Sequence, residues 1–186
     1  MATTAPAGGR GTGGTLGSLA DWVTVAIGIN IVTGVIASFM DPGDTQAILF
    51  SLATIAASIA AGILTFWHAA AGRIFAAAGF ATLGVVNVAA QVAGYTGDGP
   101  ESVFGNVSLL FAPGLILIAA QNWSPTWARA AAGLAALLFA VWSYSFILGD
   151  DPVDIESPLL IIAFLSFIVA QVGWVLTLRA EAGTSA

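Results

Sequence analysis

Runs of Ala, Val, Ile, Leu, Phe and Gly, each about twenty residues long and free of charge, alternate along this chain with short polar breaks. The uncharged stretches fall at about 20–40, 45–67, 74–96, 103–121, 127–149 and 158–178, and the formally charged residues lie at their ends or between them. A run of roughly 18 or more apolar residues is long enough to cross a bilayer as a helix. The pattern predicts an all-α membrane protein in which six transmembrane helices occupy residues 19–180. Residues 1–18 are rich in Gly, Thr and Ala without apolar periodicity and are expected to be a disordered cytoplasmic tail, and residues 181–186 a short cytoplasmic tail. A cleaved signal peptide is not expected, because a basic segment followed by a short apolar core is missing. Asp21 stands where it would cap the first helix and meet its positive end.

Charge then orients the bundle. Arg10, Arg73, Arg129 and Arg179 fall on one side of the membrane, whereas Asp41, Asp44, Asp98, Glu101, Asp150, Asp151, Asp154 and Glu156 fall on the other. The positive-inside rule places both termini in the cytoplasm of a multi-pass protein of a prokaryotic plasma membrane. Trp22, Trp67, Trp123, Trp127 and Trp174 lie near the arginine side, with Tyr95, Trp142 and Tyr144 towards the other, as an interfacial belt would have them.

The connections at 40–44, 94–101 and 149–154 are all Asp/Gly/Pro turns, and Trp22, Arg73 and Trp127 are each followed six residues later by Gly28, Gly79 and Gly133. The glycines are 51 and then 54 residues apart. This spacing predicts three repeated helical hairpins around a pseudo-threefold axis normal to the membrane.

Composition narrows the function. Of 186 residues, 58% are hydrophobic and 8% charged, where a soluble domain has about 25% charged residues, so a water-soluble enzyme is excluded. Four basic against ten acidic residues give a net charge of -6, which removes the electrostatic footprint of a nucleic-acid binder. With no cysteine and one histidine, His68, neither a thiolate metal site nor a bis-histidine haem site can be built, and no cofactor or metal is expected. His68 itself reads as an interfacial side chain near the end of the second span. No nucleophile and base pair up within the spans, so catalysis is not expected.

The polar residues deep in the spans are amides and hydroxyls. Asn30 and Thr33 share a face of span 1, Asn87 and Gln91 share a face of span 3, and Gln171 lies between Phe167 and Trp174 in span 6. An amide offers donors and acceptors without charge, which suits the wall of a pathway for a small polar solute. Asn30, Thr33, Asn87, Gln91 and Gln171 are therefore the candidate pore residues, with Phe80, Trp142 and Phe167 as candidate hydrophobic constrictions. The competing reading is that such residues join helices to one another, and this reading is favoured for Ser51, Thr54, Ser58, Gly62 and Thr65 of span 2. Pro113-Gly114 falls at the centre of span 4 and is expected to kink it beside a cavity.

Leu16-Gly17 ahead of span 1, with Ala61, Gly62, Phe66, Gly72, Phe75, Phe80, Thr82 and Gly84 around the second turn, resemble the motifs of the acetate uptake transporter family, known as YaaH or SatP. Thr65, Arg73 and Leu83 depart from that family's acidic, Asn and Tyr positions. Asp41-Pro42 with Thr45, and the run from Gly94-Tyr95 to Ser108-Leu109, are similar to outer turns of the AmiS/UreI amide and urea channels, whose termini lie outside. The resemblance implies a homo-oligomer, hexameric in both families, with one pore per protomer. The expectation is a membrane transporter or channel for a small monocarboxylate such as acetate, passive or proton-coupled. A urea or short-chain amide channel, and a non-transporting accessory subunit of a membrane complex, stand as alternatives. Its partners are then lipid and a small uncharged or weak-acid solute.

Overall fold

A computed structural model describes residues 12–41, 43–95, 107–148 and 157–184. Among these residues there are six helices and no strand: α1 (Thr12–Ser38), α2 (Asp44–Ala70), α3 (Ile74–Tyr95), α4 (Phe111–Ala120), α5 (Thr126–Leu148) and α6 (Pro158–Thr184). Five of the six carry stretches long and apolar enough to cross a membrane: Ser18–Ser38, Asp44–Ala70, Ile74–Val92, Thr126–Tyr144 and Pro158–Thr184. The protein is an all-helical, multi-pass membrane protein.

The fourth span differs from expectation. The 10 residues of α4 rise about 15 Å, half of a hydrocarbon core. Pro113 lies in the first turn of α4 rather than at mid-helix. Val107 and Ser108 are helical and Leu109–Leu110 form a turn, so the expected span is interrupted at the carbonyl four residues before Pro113, where its ring excludes a regular helical turn. Residues 103–106 of the expected span lie outside the described residues. The helices also extend beyond the anticipated tail boundaries, α1 from Thr12 and α6 through Thr184. Asp21 consequently sits inside α1 instead of capping it, and pairs with Arg179 at 3.0 Å.

Each helix packs on its neighbours in sequence, and α1 meets α6, so the six close into a ring. Directions follow from the contacts at one end. Arg179 of α6 reaches Asp21 and Thr24 of α1. Arg73, just ahead of α3, pairs with Glu181 of α6, and Arg129 of α5 donates to the Ala119 carbonyl of α4 at 2.8 Å. The starts of α1, α3 and α5 and the ends of α2, α4 and α6 thus share one face, here termed the arginine end.

Small residues make the ring tight. Ala53, Ala57, Ala60 and Ala61 of α2, Ala128, Ala132, Ala135 and Ala136 of α5, and Ala163 and Ala170 of α6 are buried. Where α3 meets α4 the backbones touch: a Cβ on Gly79 would lie 2.6 Å from the Gly114 carbonyl oxygen and 2.6 Å from Ile118 Cγ1. Gly28 and Gly133, the partners of Gly79 in the predicted repeat, have open space at the same position. The three glycines therefore do not share one packing role. Outside, Val25, Val32, Ile55, Ile59, Val85, Leu137 and Leu165 are exposed on five helices. So broad an apolar surface needs a hydrocarbon partner, and lipid supplies it.

Candidate functional site

The interior of the ring is filled unevenly. On the side of α4, α5 and α6, Phe111 and Phe139 stack at 5.0 Å, and Phe167 meets them edge-on at 6.0 and 6.4 Å. On the side of α1, α2, α3 and α6 a cavity of about 20 Å³ remains. Its wall is Ile27 and Asn30 of α1, Ala57, Ala60, Ala61 and Leu64 of α2, Phe80, Leu83 and Asn87 of α3, and Phe167, Gln171 and Trp174 of α6. No charged side chain lines it. A space of this size holds about one water molecule.

Three of the five candidate pore residues, Asn30, Asn87 and Gln171, meet at this cavity from three helices. Asn30 donates across to the Ala53 carbonyl of α2 at 3.1 Å, and Asn87 donates to the Leu83 carbonyl of its own helix at 2.8 Å. Gln171 is 4% exposed and its Oε1 accepts no hydrogen bond. Thr33 and Gln91 are not in the wall. The Thr33 hydroxyl donates to the Ile29 carbonyl one turn back at 2.7 Å, and Gln91 donates to Ser51 Oγ at 2.7 Å, joining α3 to α2. Of the constriction candidates, Phe80 and Phe167 border the cavity, whereas Trp142 is buried elsewhere in the core. In span 2, Thr54, Ser58 and Thr65 donate to carbonyls four residues back, so only Ser51 of that stripe joins helices by a side-chain hydrogen bond among the described residues.

Below the cavity, towards the arginine end, lies a set of residues that the sequence reading assigned to the interface. His68 is fully buried, not interfacial. Its ring stacks on Phe80 at 5.3 Å with planes 5° apart and meets Trp123 edge-on at 4.3 Å. Phe80 in turn meets Trp174 edge-on at 5.0 Å, and Trp174 meets Phe167 at 6.0 Å. An aromatic column therefore runs from the cavity to this end. Neither nitrogen of His68 and not Nε1 of Trp174 has a hydrogen-bond partner, although both residues are buried.

The end of the column is closed by an ion pair. At the end of α2 the chain turns through Gly72, at φ 71, which favours glycine. The Arg73 N–H donates to the His68 carbonyl at 2.8 Å and the Gly72 N–H to the Ala69 carbonyl at 3.1 Å, the two bonds of a Schellman cap. This turn carries Arg73 over the buried His68. Its guanidinium forks onto both Glu181 oxygens, at 2.5 and 3.1 Å. The Trp67 indole donates to Oε2 of the same carboxylate at 3.3 Å, and the Trp123 ring lies 5.8 Å from the Arg73 carbon. Four segments are thereby tied at one point: α2, the turn after it, the turn between α4 and α5, and α6.

His68, Trp174, Trp123 and the Arg73–Glu181 pair are what the sequence reading missed. For His68 the signal was present: with Ala57, Ala61 and Leu64 it falls on a single helical face, and all four are buried. The ion pair joins residues 108 positions apart and leaves no local trace.

Among the described residues no three metal-binding side chains come together. The cavity wall carries three amides among aliphatic and aromatic side chains and no charged group. Comparison with family models, curated proteins and solved structures finds no match to this chain.

Proposed function

We propose that the protein is a transporter or channel that carries a small polar solute through the interior of its own helix ring. A monocarboxylate such as acetate is the first candidate, and urea or a short-chain amide the second. The observation that carries this reading is the meeting of Asn30, Asn87 and Gln171, from α1, α3 and α6, at one cavity inside the ring. Three amides from three helices in the wall of one uncharged space support solute passage. Phe80 and Trp174 then stand between the cavity and the arginine end.

In this reading the arginine end faces the cytoplasm of a prokaryotic cell, as the charge asymmetry supports. The ring is taken as three hairpins, α1–α2, α3–α4 and α5–α6, a division supported by the alternating helix directions and the Asp/Gly/Pro turns. Copies of the chain then associate through their apolar outer faces.

A second reading draws on the small size of the cavity: a non-transporting subunit whose interior is simply packed shut. Uptake of labelled acetate and labelled urea into vesicles of purified protein, side by side at pH 5.5 and 7.5, separates the two. Flux of either solute above protein-free vesicles supports transport; background flux of both makes the subunit reading the better one.

A further inference from the structure

The charges at the arginine end do not balance. By sequence this end carries Arg10, Arg73, Arg129 and Arg179 against two side-chain carboxylates, Asp21 and Glu181. Both carboxylates are taken, Glu181 by the Arg73 fork and Asp21 by Arg179. Arg129, in the first turn of α5, has neutral partners alone among the described residues. Its Nε donates to the Ala119 carbonyl at 2.8 Å and its Nη1 to Asn122 Oδ1 at 2.6 Å. These contacts cap the last turn of α4, whose carbonyls lack helical donors, and they hold the guanidinium in one place. They leave Nη2 with two N–H groups, and the contact with Asn122 is exposed. The roughly half-unit negative charge at the end of a helix offsets only part of a full guanidinium charge.

We infer that Arg129 binds the phosphate of an anionic phospholipid in the leaflet at the arginine end. A phosphodiester supplies the missing charge and oxygens that accept from the free N–H groups. The depth suits a headgroup: Arg129 stands in the first turn of α5 and touches the last turn of α4, at the end of the bundle where the spans leave the hydrocarbon. The surface below it suits the acyl chain. Gly133 and Leu137 follow Arg129 at four and eight residues, hence on the same face of α5. A Cβ on Gly133 would have nothing within 4 Å, and Leu137 is exposed. An open apolar track therefore runs from the guanidinium into the bilayer. A zwitterionic lipid is the poorer occupant, because its ammonium group adds to the charge already in excess at this end. Neither Arg129 nor Gly133 belongs to the cavity wall, so the lipid site is separate from the solute route.

The test is native mass spectrometry of the purified protein titrated with phosphatidylglycerol or with phosphatidylcholine of the same acyl chains. Phosphatidylglycerol should bind about tenfold more tightly, as one charge-assisted contact provides. Arg129→Gln should remove that preference, whereas Arg179→Gln, which deletes an equal charge from the same end, should keep it. Gly133→Leu leaves the guanidinium and both its anchors in place, fills the acyl track and should weaken binding severalfold. Inorganic phosphate and glycerol 3-phosphate at millimolar concentration should leave the lipid adduct intact. Equal binding of the two lipids by the parent overturns the inference. Equal losses in Arg129→Gln and Arg179→Gln also overturn it, since diffuse attraction to the arginine end would then account for the preference. Displacement of the lipid by the soluble phosphates makes the ligand a free anion and overturns the lipid assignment, as does parental affinity in Gly133→Leu.

Discussion

Phe80→Ala tests whether the aromatic column both holds the ring and closes it. Phe80 is 1% exposed, bounds the cavity on one face, and carries His68, Trp123 and Trp174 against its ring. In water its loss would combine a transfer term and a void. In a bilayer an unfolded helix still presents its side chains to hydrocarbon, so the void dominates. Truncation leaves a hole of roughly 100–150 Å³, which at about 24 cal/mol per Å³ amounts to about 2–4 kcal/mol. Thermal unfolding in detergent should fall by roughly 4–16 °C. The same truncation joins the cavity to the space beside His68, so acetamide flux per folded molecule should rise. A variant that unfolds within a degree of the parent would refute the packing argument. One that is destabilised but conducts less would show that Phe80 does not separate the cavity from the arginine end.

Other substitutions probe separate parts of the account. Gly79→Ala places a methyl 2.6 Å from the Gly114 oxygen and should cost about 1–3 kcal/mol by forcing α3 from α4, whereas Gly133→Ala, with nothing within 4 Å, should be neutral or slightly stabilising; thermal melts of both variants decide this. Glu181→Gln removes the charge that holds the Arg73 fork and should lower stability by about 1–3 kcal/mol, with partial recovery in a charge-swapped Arg73→Glu, Glu181→Arg double variant. Asp21→Asn breaks an ion pair whose side chains are 69% and 54% exposed, and its melt should lie close to that of the parent.

The residues themselves show which parts of this structure the sequence displays. Helical spacing and the absence of charge were enough for the long spans, because lipid imposes both requirements locally. Asn30, Asn87 and Gln171 were legible as interior residues because each lies in mid-span, where a polar group facing lipid is disfavoured. Thr33 failed as a wall residue because a hydroxyl can satisfy itself on its own helix, and Gln91 because Ser51 was in reach on α2. Trp142 and Tyr144 could not be told apart by pattern, since span 5 is apolar all round; the fold buries the first and exposes the second. His68 read as interfacial because it stands near the end of α2, yet the Gly72 turn folds Arg73 over it and shuts it from water. The Arg73–Glu181 closure depends on the ring, and a ring is a property of the whole chain.

The absence of native cysteine allows a single thiol to report on the ring interior. Asn87→Cys puts one at the cavity, and Val88→Cys puts one on the outer surface next to it. Treatment with methyl methanethiosulfonate, small and neutral, should abolish acetamide flux in the first variant, with acetamide slowing the modification, and leave the second at its untreated rate. Complete modification of Asn87→Cys with flux unchanged would contradict a route through the centre of the ring.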